Sequence, residues 1–385
     1  MTSANTLKTG GQIASLTSAR FFAALAVALS HFTALGFLHL PAFFLKFVDG
    51  GRSAVTFFFV LSGFVLAYNY YEPATRLNTS RFYLARFARV YPVLLLSLLL
   101  SATVTAYVVA GHHDNLMAQW YAIKDHKWLS LGASLLAQLL LLTGWFPLAA
   151  INQPWNGPAW SISCEAFFYA VFPSLLMRFG ATSNRRMLMT CLAAWCLQGA
   201  WILAVIRFLP ANRAGFVVYQ FPLTHFPEFM MGVGAALYYL RAKAIGESLH
   251  RRGIALIAGA LIVLACIAVS GLPMPAFFFE APVFTALILG LAQLERPVLG
   301  VLNRRPLVLL GEASFSLYLI HVPLAHWAQI AGLPGRNGWI ALVFAIVMSI
   351  VVFTRFEQPM RRRILRGIRT VRLEPAGRAR VATDA

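Results

Sequence analysis

Long apolar blocks divide the chain, and short stretches rich in arginine separate them. Each block runs for roughly 17–25 residues, which is enough for a helix to cross the hydrocarbon core of a bilayer. There are eleven such blocks, near 13–37, 53–71, 90–110, 130–146, 160–178, 187–208, 223–241, 253–272, 275–294, 312–331 and 336–356. The pattern predicts an all-α polytopic membrane protein.

Composition supports a membrane protein and bears on its partners. Of the 385 residues, 59% are hydrophobic and 12% are charged, and the mean hydropathy is +0.70. A soluble domain averages about 25% charged residues. The formal net charge of +19 would suggest nucleic acid in a soluble protein. Here the basic residues lie in short loops between apolar blocks, as the positive-inside rule describes. We therefore predict a lipid bilayer as partner and no nucleic acid.

No metal site is expected. The cysteines Cys164, Cys191, Cys196 and Cys266 lie within apolar blocks and lack the spacing of a metal or disulfide framework. The run His112–Asp114 offers three adjacent ligands on a loop, which is a weak signal for a metal.

The distribution of charge predicts the topology. The arginine-rich loop 72–89 should be cytoplasmic, which places the N-terminus inside and the loop 38–52 outside. If all eleven blocks crossed, every later basic segment would fall outside. Taking the shortest block, 130–146, as a re-entrant segment removes this conflict, because irregular backbone is tolerated at membrane depth when protein covers it. The prediction is about ten transmembrane helices with both termini cytoplasmic. The domain would span 1–365, and a basic tail, 366–385, would be disordered.

Arg20 and His31 stand out because an ionisable side chain at mid-bilayer costs roughly 2.5–3.5 kcal/mol on insertion scales. Eleven residues apart on one helix, they project from the same face, about 16 Å apart along the axis. A guanidinium suits an anionic or carbonyl ligand, and an imidazole suits proton removal from a hydroxyl. The alternative is that Arg20 extends to the interface while His31 makes a buried hydrogen bond.

Arg86 and Arg89 form a second candidate site. They are three residues apart on a predicted helix that enters the membrane at Tyr91–Pro92. Two guanidiniums on one helix face are suited to phosphates such as those of coenzyme A. The alternative is a patch that binds lipid headgroups.

Trp155, Trp160 and Ser161 lie at the outer end of a predicted span, where aromatic faces beside polar groups can form a sugar platform. The alternative for the tryptophans is an aromatic belt at the interface. Glu165 lies about one turn deeper, so it needs a partner, for which His31 or an arginine are candidates. A purely structural pair is the alternative there.

Tyr318 and His321 follow Glu312 and Ser314 at helical spacing and would line a tunnel. The alternative is that these side chains only make hydrogen bonds between helices. Glu228 lies near an outer helix start, where the helix dipole tolerates a carboxylate.

Taken together, seven segments resemble the membrane acyltransferase-3 family of bacterial O-acyltransferases, and the resemblance covers about 14–365. They occur in the family's order: Arg20-x10-His31, the segment 57–64, Arg86-x-x-Arg89 with Tyr91-Pro92, the segment 160–169, Pro227-Glu228-Phe229-x-x-Gly232, Ser316-Leu317-Tyr318-Leu319-x-His321 and Glu357-x-Pro359.

This resemblance implies a bacterial inner-membrane enzyme with ten core helices. It implies an acyl-coenzyme A donor on the cytoplasmic side and acceptors such as glycans or lipid-linked sugars. Acetyl is the default acyl group for the family. His31 matches the catalytic histidine, Arg20 its partner, and Arg86 and Arg89 the pair that meets the donor. Glu165, Tyr318 and Glu357 match family positions with less definite roles, and we count Glu165 with the catalytic group. Many members carry a further C-terminal hydrolase-like domain, which we do not expect within these 385 residues.

A proton-coupled secondary transporter or a glycan or lipid flippase is the alternative from another class, since buried His, Arg and Glu also suit proton relays. Neither an internal repeat nor a pair of broken helices is evident in the sequence, and many transporters have both.

Overall fold

The computed structural model describes residues 13–41, 51–73, 76–247, 250–270, 272, 274–294, 300–333 and 337–371. Ten long helices follow one another in these ranges: α1 Ala14–Ala34, α2 Gly51–Tyr70, α3 Thr79–Ala110, α4 Trp160–Gly180, α5 Asn184–Phe208, α6 Phe226–Ala244, α7 His250–Val269, α8 Ala276–Gln293, α9 Arg305–Ile330 and α10 Gly338–Val352. Shorter helices and turns are Asp114–Tyr121, Lys127–Leu139, Thr143–Trp145, Ala149–Asn152, Gly157–Ala159, Ala211–Tyr219, Phe353–Glu357 and Gln358–Val371.

The prediction of an all-α polytopic membrane protein is confirmed. Nine helices in the described part of the chain are long and apolar enough to cross a bilayer. The remaining long helix, α6, has 19 residues, or about 28 Å, and most of its side chains are buried between neighbouring helices. Its lower hydropathy comes from Glu228 in the first turn and from Arg241 and Lys243 in the last.

Two helices begin earlier than the apolar pattern predicted. α3 starts at Thr79, inside the segment expected to be a loop, because the Asn78 side chain accepts a hydrogen bond of 3.0 Å from the Arg81 backbone N–H. α9 starts at Arg305 rather than near 312. Arginine is a good helix former, so a basic segment can extend a helix past the end of its apolar block. With 32 residues, α3 is about 48 Å long and exceeds the thickness of the hydrocarbon core.

Glycines allow three helix pairs to pack with their backbones in contact. A Cβ on Gly63 of α2 would collide with the Phe229 carbonyl of α6, and one on Gly232 would collide with the Val60 carbonyl. Gly311 of α9 meets the Thr17 carbonyl of α1 in the same way, and Gly253 and Gly290 face each other between α7 and α8. Small residues at such crossings strengthen helix association in a bilayer, because van der Waals packing drives it.

The re-entrant segment is also confirmed. The helix Lys127–Leu139 has 13 residues, about 20 Å, which is too short for a core of about 30 Å. The chain then turns back along it, since Ser134 Oγ donates to the Ile151 carbonyl at 2.7 Å and Gln138 Nε2 to the Pro154 carbonyl at 3.1 Å. The tip lies against α3, where the Tyr91 hydroxyl donates to the Leu139 carbonyl at 3.1 Å.

Beyond α10, a π-helical turn, Phe353–Glu357, leads into the helix Gln358–Val371. The predicted disordered tail, 366–385, begins within this helix. Its remainder from residue 372, the first twelve residues and most of the predicted outer loop 38–52 lie outside the described residues. The disorder of the tail stays a prediction.

We expect Gly232→Ala to lower the thermal stability of the protein, because the added methyl group must push α6 away from the Val60 carbonyl of α2. Overpacking of this kind costs about 1–3 kcal/mol. Gly259→Ala on α7 is the matched control, since nothing lies within 4 Å of a Cβ there. The measurement is the unfolding midpoint of both variants in detergent or nanodiscs. Equal midpoints would contradict the close crossing.

Candidate active site

His31 of α1 and His321 of α9 form a hydrogen-bonded pair between two adjacent helices. His31 Nδ1 lies 2.8 Å from His321 Nε2, and the two rings stack with centroids 5.0 Å apart and an interplanar angle of 23°. His321 is fully buried, and its Nδ1 lies 2.7 Å from the Tyr318 carbonyl oxygen. His321, expected to line a tunnel, is the hydrogen-bond partner of His31, and its role in substrate binding stays a prediction.

Tyr318 and Ser161 lie beside this pair and bond to each other. Their hydroxyl oxygens are 2.7 Å apart, and both lie near the Pro158 carbonyl, at 3.0 Å from Tyr318 and 3.1 Å from Ser161. These contacts join the first turn of α4 to the middle of α9. They agree with the alternative of hydrogen bonding between helices, while a substrate-binding role for either residue stays a prediction.

Trp155 and Asn156 fasten the returning arm of the re-entrant segment next to the histidines. The Trp155 indole N–H donates to the Leu131 carbonyl at 3.0 Å, so the ring packs inside the segment. Its φ of 64° is costly for a bulky residue, and such strain clusters at functional sites. Asn156, fully buried, donates from Nδ2 to Ser97 Oγ of α3 at 3.1 Å and to the Leu319 carbonyl of α9 at 2.8 Å. No role for Asn156 was predicted from the sequence.

Arg20 faces α9 on the same side of α1 as His31, as the eleven-residue spacing predicted. It lies within electrostatic range of the carboxylates of Glu165 and Glu312 and of the guanidinium of Arg361. The helical rise separates it from His31 by about 16 Å along the axis. α1 therefore carries an imidazole at one depth and a guanidinium at another.

Arg89 is held by an acidic partner. It forms an ion pair with Glu357, whose other carboxylate oxygen accepts a hydrogen bond of 2.6 Å from Ser316 Oγ. The Arg89 guanidinium also lies over the Phe315 ring at 4.7 Å from the centroid. The π-helical turn Phe353–Glu357 at the end of α10 positions Glu357 for this contact, and such turns are frequent at functional sites.

Arg86 is surrounded by aromatic rings. Its Nη2 donates to the Tyr70 hydroxyl at 3.3 Å, and its guanidinium lies 5.6–5.9 Å from the ring centroids of Tyr70, Phe82 and Tyr169. Arg361, at the start of the helix after α10, lies within electrostatic range of Arg86 and Arg89. No pattern in the sequence indicated that Arg361 would lie beside Arg86. The four residues Arg20, Arg86, Arg89 and Arg361 are called the arginine cluster below.

Of the two candidate partners of Glu165, His31 and an arginine, the structure brings an arginine within electrostatic range, Arg20. Glu165 Oε2 accepts a hydrogen bond of 2.6 Å from the Tyr169 hydroxyl, one helical turn along α4. Tyr169 and Glu165 are in electrostatic range of Arg86 and Arg20, respectively. Glu165 thus belongs to the surroundings of the arginine cluster, in line with the expectation of an arginine partner.

An acid–histidine pair, Glu228 and His225, lies at the start of α6. Its histidine was not predicted from the sequence. His225 Nδ1 is 2.8 Å from Glu228 Oε1, which also accepts from Gln198 Nε2 at 3.2 Å. Both members are buried. The His225 ring packs on Phe59 and on Trp160, with centroids 5.1 and 5.9 Å away. Trp160 therefore contacts protein on at least one face of its ring. For His225, the neighbouring Pro227–Glu228 motif was the only sequence feature that pointed to this position.

The geometry supports proton transfer at one depth and anion binding at another. An imidazole with one ring nitrogen engaged can exchange a proton at the other, and guanidiniums bind phosphates. Among the described residues, no group of three or more His, Cys, Asp and Glu side chains is arranged to hold a metal ion.

Comparison with known sequences assigns the chain to a family. The model of an acyltransferase domain, the acyltransferase-3 model, matches residues 13–354. The chain belongs to the acyltransferase-3 family. The resemblance read from the seven segments is thereby confirmed, and the chain is an acyltransferase rather than the transporter or flippase of the alternative interpretation.

Individual relatives of this acyltransferase are consistent with the family. Acyltransferase MdmB of Streptomyces mycarofaciens is 29% identical over 80% of this chain and 78% of its own length. Exopolysaccharide production protein ExoZ of Rhizobium meliloti is 28% identical over 81% of this chain and 90% of its own. Peptidoglycan O-acetyltransferase OatA of Listeria monocytogenes is 22% identical over 86% of this chain, which spans 54% of OatA. No solved structure matches the acyltransferase.

We expect Glu357→Ala to destabilise this acyltransferase strongly, because it leaves Arg89 without its buried counter-ion. Removing one partner of a buried ion pair costs about 3–5 kcal/mol. Glu247→Ala is the matched control, since it breaks the exposed Arg252–Glu247 pair, and such pairs contribute about 0–1 kcal/mol. Thermal unfolding in nanodiscs measures both.

The double variant Arg89→Met/Glu357→Leu should recover most of that stability, because apolar residues often replace a buried ion pair without loss. A Glu357→Ala protein as stable as the Glu247→Ala control would show that the buried pair has no structural role.

Proposed function

We propose that this acyltransferase moves an acyl group, acetyl by default, from acyl-coenzyme A to a hydroxyl of a cell-envelope glycan, a lipid-linked sugar or a related acceptor. The observation that carries the proposal is the arrangement of α1 and α9. His31 bonds His321 at one depth, and Arg20 lies about 16 Å along α1 beside other arginines. The pantetheine arm of coenzyme A separates phosphates from thioester, so a donor extended along α1 presents its phosphates to arginine and its thioester to histidine.

The bacterial inner membrane, with both termini on the cytoplasmic side, is the proposed location. The basic residues support this orientation. They occur at the starts of α3, α5, α7 and α9, at the ends of α4 and α6, and after α10: Arg81, Arg178, Arg185, Arg186, Arg241, Lys243, Arg251, Arg252, Arg304, Arg305, Arg361, Arg362 and Arg363. In a bundle whose successive long helices cross in alternate directions, these positions share one side, and positive residues favour the cytoplasm. The donor then enters from the side on which coenzyme A is made.

The arginine cluster is the proposed donor site. Its four guanidiniums face the three carboxylates of Glu165, Glu312 and Glu357, so positive charge is in excess at this depth. The low dielectric of a membrane interior strengthens attraction to an anion. Arg86 presents an Nε that has no hydrogen-bond partner among the described residues. The adenosine phosphates and pyrophosphate of coenzyme A supply the anionic oxygens that these donors need.

His31 is the proposed catalytic base. It removes the proton of the acceptor hydroxyl while the hydroxyl oxygen attacks the thioester carbonyl. The carbon–oxygen bond forms, the carbon–sulfur bond breaks, and the leaving thiolate takes the proton from His31. The acceptor site is proposed at the start of α4, where Ser161 bonds Tyr318 and the neighbouring Trp160 packs on Phe59. Trp155 belongs to the same end of the molecule.

The test uses purified protein in nanodiscs, labelled acetyl-coenzyme A and an envelope-glycan extract. Wild type should transfer label to glycan, and His31→Ala should lose about 10²–10⁴-fold of that rate, the usual contribution of general acid–base catalysis. His39→Ala is the control, because the His39 side chain is exposed beyond the end of α1. No transfer by wild type, or equal rates in His31→Ala, would overturn the proposal.

The arginine cluster has its own test. Arg361→Ala should raise the KM for acetyl-coenzyme A about tenfold and leave kcat within about twofold, because a charge-assisted hydrogen bond contributes about 1.5–3 kcal/mol and Arg361 lies away from His31. Arg185→Ala, at the start of α5 on the same side, is the matched control. A donor KM that changes equally in both variants would remove Arg361 from the donor site.

A further inference from the structure

We propose that His321 is a positioning residue that fixes the tautomer of His31 and thereby makes His31 Nε2 the atom that accepts the proton. The proposal rests on the function proposed above and adds to it the identity of the reacting nitrogen. It follows from two hydrogen bonds and the burial of one ring.

The first hydrogen bond determines where His321 carries its hydrogen. His321 Nδ1 lies 2.7 Å from the Tyr318 carbonyl oxygen and 3.2 Å from the Leu317 carbonyl oxygen. A carbonyl oxygen can only accept a hydrogen bond, so Nδ1 must be the protonated nitrogen. In the neutral ring, Nε2 then has a free lone pair and can only accept.

The second hydrogen bond transfers this constraint to His31. His321 Nε2 is 2.8 Å from His31 Nδ1. Because His321 Nε2 is an acceptor, His31 Nδ1 must carry the hydrogen that lies between the rings. The neutral His31 ring consequently has its lone pair on Nε2, opposite the bond to His321. The Tyr318 carbonyl of α9 thereby determines which ring nitrogen of His31 carries the lone pair.

Burial keeps His321 neutral. Its side chain is fully buried, and within the described part of the chain no carboxylate bonds to either ring of the pair. Burying a charge without a partner is costly. The pair His225–Glu228 differs on this point, since a carboxylate there bonds Nδ1 directly. A neutral partner orients His31 without holding it in the protonated form.

The same bond acts during the reaction. When His31 Nε2 takes the hydroxyl proton, the ring becomes a cation and its Nδ1–H bond to His321 becomes charge-assisted, which strengthens it. The proton then passes from Nε2 to the leaving thiolate, and His31 returns to its starting tautomer. His321 exchanges no proton at any step, so it acts only through His31.

Two substitutions of His321 separate positioning from packing. His321→Gln keeps an acceptor oxygen within reach of His31 Nδ1, whereas His321→Leu offers none. We expect His321→Leu to lower kcat by about 10²-fold or more, and His321→Gln to remain within about tenfold of wild type. The donor KM should stay within about twofold in both, because the arginine cluster is untouched. His326→Gln, on the same helix and stacked on Trp120, is the control. Equal kcat for the Leu and Gln variants would overturn the proposal.

The tautomer itself is measurable without any turnover. Solid-state ¹⁵N NMR of the histidine-labelled protein in lipid bilayers distinguishes a protonated ring nitrogen from a bare one, and His31→Asn assigns the signals. The expected result is a protonated Nδ1 and a bare Nε2 on His31. A protonated Nε2 on the neutral His31 ring would overturn the inference even if the enzyme transfers acyl groups. If wild type transfers no label, the proposed function fails, while the spectrum still decides the tautomer.

Discussion

The contact between α1 and α9 is the one on which the site depends. Gly311 has no side chain, and this allows the Thr17 backbone of α1 to lie directly against α9. At this separation His31 reaches His321 and Arg20 comes within electrostatic range of Glu312. A wider spacing would stretch a hydrogen bond of 2.8 Å beyond its useful length. The chemistry at one end of α1 and the charge at the other are therefore both set by how closely two helices pack.

Compensation of buried polar groups shapes the rest of the bundle. A bilayer interior supplies no water, so each polar atom needs a partner within the protein. Arg89 has Glu357, Glu165 has Tyr169, and His225 has Glu228. The Arg86 guanidinium lies mainly against aromatic ring faces, which stabilise a cation without neutralising its charge. Positive charge is thus left in excess where an anionic donor would bind.

Much of the fold follows from the sequence because membrane thickness sets helix length. Apolar blocks predicted the ten long helices, and the alternation of basic loops predicted that 130–146 does not cross. Boundaries such as Thr79 were missed, since arginine continues a helix beyond its apolar part. The shared face of Arg20 and His31 followed from helical geometry alone.

Partners across the fold were harder to predict, because periodicity describes one helix at a time. His31 and His321 are 290 residues apart, and nothing local connects them. Glu165 was expected beside His31 or an arginine, yet its hydrogen-bond partner is Tyr169, four positions along its own helix. His225 lies within the predicted block 223–241, but nothing in the sequence indicated that its ring would bond Glu228.

The hydrogen bond that holds the re-entrant segment against α9 has a consequence for the biosynthesis of the protein. Asn156 holds this segment to α9 through the Leu319 carbonyl, 163 residues later in the chain. A ribosome adding about 5–20 residues per second needs roughly 8 to 33 seconds to synthesise that stretch. Until then, the buried amide of Asn156 lacks its acceptor on α9. The segment that borders the His31–His321 pair is thus completed late in biogenesis, and a chain truncated before α9 would lack this hydrogen bond.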